Sequence, residues 1–326
     1  MTLTDPLRAA VSEVEAALAA LTFPDSPAEL YEPVRHALAG KGKRVRPAMV
    51  LLTAEAFGGS AARERAMPAA LAVEVFHTFT LVHDDIMDDA PTRRGRPTVH
   101  EEWDEATAIL AGDLLFSLAA DLLRQSDTDR LGDALGAFHE TVARLCEGQA
   151  LDLAFETRRD VTPEAYLGMI DGKTGALLQL ALDLGALIGD ADDAARAELR
   201  TAGRALGRAF QIQDDLLDVV AESEGWGKAV GGDLVAGKRT WLLLRALELA
   251  EAEDDRAFFD RVLDGLAPED VPDARARMER LGVLREASDA AEAEAERGCG
   301  GLSVLPAGPA ADALLALARS LASRHA

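Results

Sequence analysis

The sequence is poor in aromatic residues and in cysteine, and both shortages narrow the kind of protein it encodes. Phe, Trp and Tyr make up 5% of the 326 residues, whereas hydrophobic residues reach 48% with Ala and Leu abundant, which favours helices over sheets. The two cysteines, Cys146 and Cys299, imply no disulfide framework. We therefore expect an all-α protein in a reducing, cytoplasmic compartment.

Positive charge is also scarce, and long apolar runs are missing. Lys and Arg number 34 against 57 Asp and Glu, and this formal charge of −23 argues against nucleic acid as a partner. The N-terminal segment MTLTDPLRAAVSEVEAAL has no h-region, so we expect no signal peptide. The most apolar stretch, Leu177 to Ile188, is too short to cross a bilayer, so we expect no transmembrane segment.

Apolar residues recur with helical spacing along nearly the whole chain, and no run alternates as a strand would. Neither a linker nor a repeat stands out. We therefore predict a single all-helical domain over residues 1–326, a bundle around a central cavity, with a motif-bearing core at about 35–250. The predicted helices are 5–21, 27–39, 47–57, 65–89, 105–126, 131–157, 163–188, 193–222, 240–252, 255–264, 268–281, 283–297 and 307–324.

Two acidic clusters have the same spacing: DDIMD at 84–88 and DDLLD at 214–218. Residues i and i+4 share one face of a helix, so each cluster points at least two carboxylates the same way. Like charges at this spacing cost about 0.2–0.5 kcal/mol per pair, which bound cations would offset. Mg²⁺ prefers oxygen ligands and often joins carboxylates to phosphates. The clusters therefore predict a diphosphate-binding magnesium site.

Cationic segments lie beside both clusters in the sequence. GKRVRP at 42–47 precedes the first cluster, and RRGRP at 93–97 follows it. Lys173-Thr174 lies in a predicted helix, and Lys228 and Lys238 flank the glycine-rich segment after the second cluster. Arginine offers a planar fork for phosphate oxygens, and lysine offers a compact charge. Seven or more cations around six carboxylates are what two diphosphates with magnesium ions need.

These segments together resemble the trans-isoprenyl diphosphate synthases, or polyprenyl synthetases, of the short-chain type that makes geranylgeranyl or farnesyl diphosphate. The resemblance is dense from about Arg35 to Leu244, and two DDxxD clusters with RRG between them and FQ before the second make it specific. It rests on GKRVRP (42–47), EVFHTFTLVHDDIMDDAPTRRGRPTVH (74–100), ILAGDLLF (109–116), GQALDLAFE (148–156), KTGALL (173–178), FQIQDDLLDVV (210–220) and GKAVGGDLVAGKRT (227–240).

The resemblance implies a Mg²⁺-dependent prenyltransferase that joins isopentenyl diphosphate to an allylic diphosphate (dimethylallyl, geranyl or farnesyl). Asp84 and Asp88, with Asp85 in support, resemble the ligands of the magnesium ions that hold the allylic diphosphate. Asp214 and Asp218 resemble the ligands of a further ion on the opposite helix, so two or three ions are implied.

The same resemblance divides the cations between the two diphosphates. The group that resembles the isopentenyl diphosphate site is Lys43, Arg46, His77 and Arg94. The group that resembles the allylic diphosphate site is Arg93, Lys173, Lys228 and Lys238. Thr174 and Gln211 would lie near the carbocation and stabilise it by their dipoles. His83 and His100 receive no role.

Product length is predicted from the helix before Asp84. Phe79 and Phe76 lie five and eight residues before it, about one and two helical turns below the metal site, where each turn descends about 5.4 Å. In the family an aromatic residue at the Phe79 position accompanies short products. The first cluster also lacks a two-residue insertion, a pattern shared with some geranylgeranyl diphosphate synthases. We expect a twenty-carbon product, with fifteen carbons as the next choice.

Two other interpretations of the same motifs remain open. The segment Asp214 to Glu222 partly resembles the second metal motif of class I terpene cyclases, which ionise a single substrate and do not need the cations Lys43, Arg46 and Arg94. A non-catalytic subunit of a heteromeric synthase is the other, although such subunits tend to lose acidic motifs that are complete here. Family resemblance also implies a homodimer.

Overall fold

The computed structural model describes residues 4–221 and 230–322, and these form a bundle of helices. The all-α prediction is confirmed. The helices are α1 (Asp5–Ala19), α2 (Ala28–Leu38), α3 (Val45–Arg65), α4 (Met67–Met87), α5 (Val99–Glu102), α6 (Glu105–Arg124), α7 (Leu131–Phe155), α8 (Pro163–Ile170), α9 (Ala176–Ile188), α10 (Asp193–Val220), α11 (Gly232–Val235), α12 (Trp241–Leu249), α13 (Glu253–Val262), α14 (Val271–Leu281), α15 (Val283–Gly301) and α16 (Pro309–Ala322).

Three departures from the predicted helices occur. The helix predicted to end at residue 57 does break at Gly59, which takes φ 68° and ψ −164°, but a further helical piece up to Arg65 follows within α3 and was not predicted. A π-helical turn, Asp171–Gly175, separates α8 from α9 where one continuous helix was predicted. Short helices α5 and α11 were not predicted, because four residues carry too little periodicity to be recognised.

A β-hairpin was also missed. Strands β1 (Thr92–Arg93) and β2 (Arg96–Pro97) pair antiparallel, and they are the only strands within residues 4–221 and 230–322. Arg94 (φ 53°) and Gly95 (φ 76°) form its two-residue turn, in which both central residues have positive φ as in the tight hairpin turns. Strands of two residues are too short to show alternation, so the sequence pattern could not reveal them.

Two hydrophobic cores hold the bundle together. In the larger core, α4 packs along α6, and α3 packs along α9, which in turn lies against α10. The smaller core joins the end of α10 to α8 and to α12–α15. Both acidic clusters lie near the C-terminal ends of helices that contribute to these cores, α4 and α10, so their backbones are firmly positioned.

Helix α6 is apolar on more than its buried side. Its most apolar 18-residue window has a mean hydropathy of 1.7, yet only 39% of that window is buried. By length and composition alone, α6 could cross a membrane. Helices α3 and α4 taken together also meet this criterion, although an 83° bend lies between them. A core helix also passes this test, and α6 packs along α4. Ile109 and Leu110 remain 41% and 59% exposed.

Candidate functional site

The first acidic cluster occupies the last turn of α4. Asp84 is half-buried, Asp85 is buried and Asp88 caps the helix C-terminus. Carboxylates at this end face the negative pole of the helix dipole, which is unfavourable unless a cation is present. Burial raises the pKa of Asp84, with a further increase from Asp88 and Asp85 that Lys173 and Arg93 oppose. This donor set fits a divalent cation.

Asp85 differs from its neighbours because its carboxylate is already paired. Arg93 Nε, from the hairpin, donates a 2.6 Å hydrogen bond to Asp85 Oδ1. Burial raises the pKa of Asp85, and the charge of Arg93 opposes this. Arg93 therefore fixes the hairpin to the acidic end of α4, beside the position predicted for the allylic diphosphate.

The second cluster lies near the C-terminal end of α10 and is better enclosed. Asp215 Oδ2 accepts a 2.7 Å hydrogen bond from the Tyr166 hydroxyl, and Asp215 Oδ1 accepts one of 3.0 Å from Gln211 Nε2. Burial raises the pKa of Asp215 to about 8, although these hydrogen bonds oppose the rise. Asp218, also buried, accepts a 3.0 Å bond from the backbone N–H of Asp233. Asp214 lines a cavity.

That cavity measures about 660 Å³ and is lined by cationic side chains from the segments 42–47 and 93–97. Lys43 lines it from the loop before α3, and Arg46 lines it from the first turn of α3. His77 lines it from α4, and Arg94 lines it from the turn of the hairpin. Asp214 lines it from α10. The structure thus brings one carboxylate of the second cluster into the same chamber as the four groups that resemble an isopentenyl diphosphate site.

Arg46 and His77 contact each other within this chamber. Arg46 Nη1 and His77 Nε2 are 3.2 Å apart. Burial lowers the pKa of His77 well below its usual value, and the charges of Arg46 and Arg94 lower it further. Burial also lowers the pKa of Arg46, which Glu74 opposes. A neutral imidazole beside a guanidinium can bind an anion without itself adding charge.

Arg44 was not assigned a role from the sequence, and its contacts show that it orders the cationic loop. It takes φ 47° just before α3, and its side chain donates to Gly40 O at 2.6 Å and to Glu74 Oε1 at 2.5 Å. The two side chains of this ion pair are only 8% and 5% exposed. Arg44 therefore ties the loop that carries Lys43 to α4.

Lys173 connects the first cluster to the π-helical turn. Its Nζ lies 2.5 Å from Oδ2 of Asp152 on α7. Burial by itself lowers the pKa of Lys173, but Asp152, Asp84 and Asp88 together raise it above its usual value. Next to it, Thr174 Oγ1 donates to Gln211 Oε1 at 3.3 Å. The turn thus contacts α10 through Thr174 and interacts electrostatically with the carboxylates of α4 through Lys173.

The remaining predicted cations are less closely connected. Lys228 lies outside the described residues. The Lys238 side chain is 57% exposed, and its Nζ is 3.8 Å from Asp233 Oδ1. Asp233 in turn contacts Asp218 through its backbone, so Lys238 lies at the edge of the second cluster.

The two predicted chain-length residues belong to one aromatic cluster. Phe79 lies 5.5 Å from Phe76 between ring centroids, and 5.6 Å from Phe116 of α6. Phe76 is fully buried and contacts Phe138 of α7 at 5.1 Å. Phe79 is only partly buried and lies nearer to the acidic end of α4, so Phe76 lies behind it.

Several residues at this site were missed by sequence reasoning. Asp152 contacts Lys173, and Asp233 contacts Asp218. Tyr166 contacts Asp215 of the second cluster, and none of these three partners was assigned a role from the sequence. Asp152 lies in the segment GQALDLAFE and Asp233 in GKAVGGDLVAGKRT, and both segments carried part of the resemblance, so a signal existed for these two residues. Tyr166 carries no spacing pattern that links it to the second cluster.

Comparison with known proteins gives a consistent result. The polyprenyl synthetase family model matches residues 27–278. A short chain isoprenyl diphosphate synthase of Methanothermobacter thermautotrophicus is 41% identical over 301 residues, 92% of each chain. A geranylgeranyl diphosphate synthase of Methanosarcina mazei is 44% identical over 250 residues, 76% of each chain.

Solved structures agree with the sequence relatives. A crystal structure of a geranylgeranyl pyrophosphate synthase superposes with a TM-score of 0.91 at 35% identity, covering 99% of this chain and 100% of that one. A polyprenyl synthase from Caulobacter crescentus, complexed with calcium and isoprenyl diphosphate, superposes with a TM-score of 0.88 at 30% identity, covering 100% and 99%.

Proposed function

Because the chain belongs to the polyprenyl synthetase family and is a short-chain trans-prenyltransferase, we propose that it condenses isopentenyl diphosphate with an allylic diphosphate to form geranylgeranyl diphosphate. The observation that carries the proposal is the shared chamber in which Lys43, Arg46, His77 and Arg94 meet Asp214. A second substrate that carries its own diphosphate needs such a cationic chamber.

We propose that two or three Mg²⁺ ions bind at this site. Members of the family use divalent ions, and the carboxylates of both clusters fit them. Asp84 and Asp88 would hold ions from α4, and Asp214 and Asp218 from α10. When bound, the ions neutralise the leaving pyrophosphate so that the allylic carbon–oxygen bond can break.

The side chains of this protein have three tasks in the proposed reaction. Lys43, Arg46 and Arg94 hold the diphosphate of isopentenyl diphosphate, while Arg93, Lys173, Lys228 and Lys238 contact the allylic diphosphate. The dipoles of Thr174 and Gln211 stabilise the carbocation without trapping it. The apolar wall formed by Leu178 and Phe210 keeps water from it, and the released pyrophosphate accepts the proton that is lost.

A twenty-carbon product is supported by the aromatic cluster below Asp84. Phe79 lies first below the metal site, and Phe76 is sealed behind it. The floor thus has two layers about one helical turn, or 5.4 Å, apart. Farnesyl diphosphate is the next product in our order of preference.

We further propose that the chain acts as one catalytic unit in the cytoplasm and as a homodimer. The partly uncovered apolar face of α6, with Ile109 and Leu110 exposed, is the surface that a second copy would cover. Substituting Leu110→Glu is expected to convert a dimer into a monomer in light-scattering measurements. A single species of unchanged mass would contradict this assignment.

The reaction is tested by incubating the protein and Mg²⁺ with labelled isopentenyl diphosphate and, in turn, dimethylallyl, geranyl or farnesyl diphosphate. A linear twenty-carbon alcohol after dephosphorylation is the expected result. A cyclic hydrocarbon formed without isopentenyl diphosphate would identify a terpene cyclase, and turnover only after a second chain is added would identify a non-catalytic subunit.

A matched pair of variants connects this activity to the second cluster. Asp214→Asn is expected to reduce kcat by at least about 100-fold, because it removes a ligand of an ion that stabilises the leaving group. Asp133→Asn, an exposed change of the same charge on α7, is expected to leave kcat unchanged. Equal activity of the two variants would contradict the assigned role.

A further inference from the structure

Three side chains outside the two acidic clusters converge where α4 ends and α5 begins. We propose that Asp89, His100 and Glu101 form a binding site for a divalent transition-metal cation, with Zn²⁺ as its best-fitting ion. One ligand atom from each residue lies within 4.8 Å of the others. His100 Nε2 is 3.8 Å from Glu101 Oε1.

His100 provides an independent indication that something binds here. Its side chain is only 10% exposed, and neither ring nitrogen has a hydrogen-bond partner among residues 4–221 and 230–322. Buried polar atoms almost always have a partner, so an imidazole with both nitrogens buried and unpaired points to a ligand. Asp85 interacts with His100 electrostatically, but its carboxylate accepts its hydrogen bond from Arg93.

The chemistry of the three ligands selects the class of ion. One imidazole and two carboxylates form a mixed nitrogen and oxygen set, which suits Zn²⁺ and its transition-metal neighbours. Mg²⁺ prefers an octahedron of oxygens and keeps much of its water, so it competes weakly for such a site. This preference separates the site from the carboxylate clusters, whose donors are oxygens only.

The geometry needs little adjustment to bind an ion. Ligands of a tetrahedral zinc with bonds of about 2.0–2.1 Å lie roughly 3.3–3.4 Å apart. His100 Nε2 and Glu101 Oε1 are wider apart, at 3.8 Å, and the ligand atoms of all three residues lie within 4.8 Å of one another. Asp89 and Glu101 are exposed, so their carboxylates can rotate inward while the buried imidazole stays in place.

A metal here would join the two ends of the segment that carries the hairpin. Asp89 lies two residues beyond the end of α4, and His100 and Glu101 belong to α5. The chain between them contains Arg93 and Arg94. A bound ion would therefore hold this hairpin against the acidic end of α4, whatever the product of the enzyme is.

Zinc binding to the full chain tests the proposal without using activity. Equilibrium dialysis against Zn²⁺ in excess Mg²⁺ and without diphosphate is expected to give one bound zinc per chain. Glu101→Gln and His100→Gln are each expected to weaken this binding by at least about tenfold. Glu102→Gln, the same charge change on the exposed neighbour within α5, is expected to leave it unchanged.

X-ray absorption of the zinc-loaded protein provides the second measurement. We expect imidazole scattering from one histidine in wild type and in Glu102→Gln, and its loss in His100→Gln. Glu101 is exposed, so Glu101→Gln still tests zinc binding at this site if His100→Gln, at the buried imidazole, prevents folding. No bound zinc, or equal affinity of wild type, Glu101→Gln and Glu102→Gln, would overturn the proposal.

Discussion

Gly148 of α7 lies directly against the backbone of Lys173, so closely that a β-carbon at position 148 would be 2.3 Å from the Lys173 backbone nitrogen. The carbonyl carbon of Gly172 would be 2.8 Å from the same β-carbon. A glycine is therefore required where α7 crosses the π-helical turn. This close contact fixes the position of the Lys173 backbone relative to α7.

Gly148→Ala is expected to destabilise the protein by about 1–3 kcal/mol, because backbone atoms must move to make room for the methyl group. Gly136→Ala on the same helix is the control, since a β-carbon there would meet nothing within 4 Å. Its better helix propensity is expected to add about 0.5–1 kcal/mol of stability. Denaturant unfolding measures both, and a fall in kcat/KM restricted to Gly148→Ala is also expected.

The Asp152 carboxylate orients Lys173 through a charge-assisted hydrogen bond. Asp152→Asn is expected to lower kcat/KM for the allylic diphosphate about tenfold, the effect of losing about 1.4 kcal/mol of positioning energy. Asp160→Asn, which breaks an exposed pair with Arg158, should leave it unchanged. Steady-state kinetics with varied allylic substrate tests this, and wild-type kinetics in Asp152→Asn would contradict it.

Glu74 neutralises Arg44 inside the bundle. Glu74→Gln is expected to reduce the free energy of unfolding by about 3–5 kcal/mol, because a buried guanidinium is left without its counter-ion. Glu248→Gln disrupts a more exposed pair with Arg245 and should cost less than about 1 kcal/mol. The double change Arg44→Met with Glu74→Leu should recover part of the loss, and a double variant worse than Glu74→Gln would contradict this account.

His77 gives stability a defined dependence on pH. Its pKa is far below 6.5 in the folded protein, so below that pH the unfolded chain binds a proton that the folded chain does not. Stability is complete above the unfolded pKa and decreases as the pH falls. Between about pH 7.5 and 5.5, wild type should lose about 1.4 kcal/mol more than His77→Gln.

The exposed His139→Gln change is the control for this measurement. Denaturant unfolding in the presence of a chelator at the two pH values is expected to show wild-type behaviour for His139→Gln. If His77→Gln lost as much stability as wild type on acidification, the pKa of His77 would not be lowered by folding.

Phe79 and Phe76 are expected to act as successive floors. Phe79→Ala opens a depth comparable with one helical turn, about 5.4 Å, and should lengthen the product by one isoprene unit. Phe76→Ala alone should keep the wild-type product, because Phe79 still closes the pocket, while costing about 3–5 kcal/mol of stability. Chromatography of dephosphorylated products tests both, and an unchanged product in Phe79→Ala would refute the floor.

Local sequence patterns predicted most helices but not the π-helical turn that separates α8 from α9. Alternation of apolar and polar residues every three to four positions is strong in α7 and α10, which appear nearly as predicted. The π-helical turn at Asp171–Gly175 keeps the same apolar pattern as an α-helix, so periodicity cannot detect it. Its signal lies instead in the glycines that let α7 and α10 approach.

Sequence reasoning found the candidate site residues that belong to a repeated motif. It missed the residues that contact them from distant parts of the chain. The two DDxxD clusters can be recognised from the spacing of their aspartates alone. Tyr166 reaches Asp215 from 49 positions away, and Arg44 reaches Glu74 across 30. Such pairings depend on how helices pack, which a single sequence does not encode locally.

The cationic chamber lies in a protein whose formal charge is −23, and this contrast shapes how a substrate arrives. A distant diphosphate meets overall repulsion, and it feels the arginines only within a Debye length, about 8 Å at physiological ionic strength. Dissolved salt screens the distant repulsion more than the close attraction. Modest ionic strength should thus speed capture of the anion, opposite to the behaviour of an enzyme whose whole surface is basic.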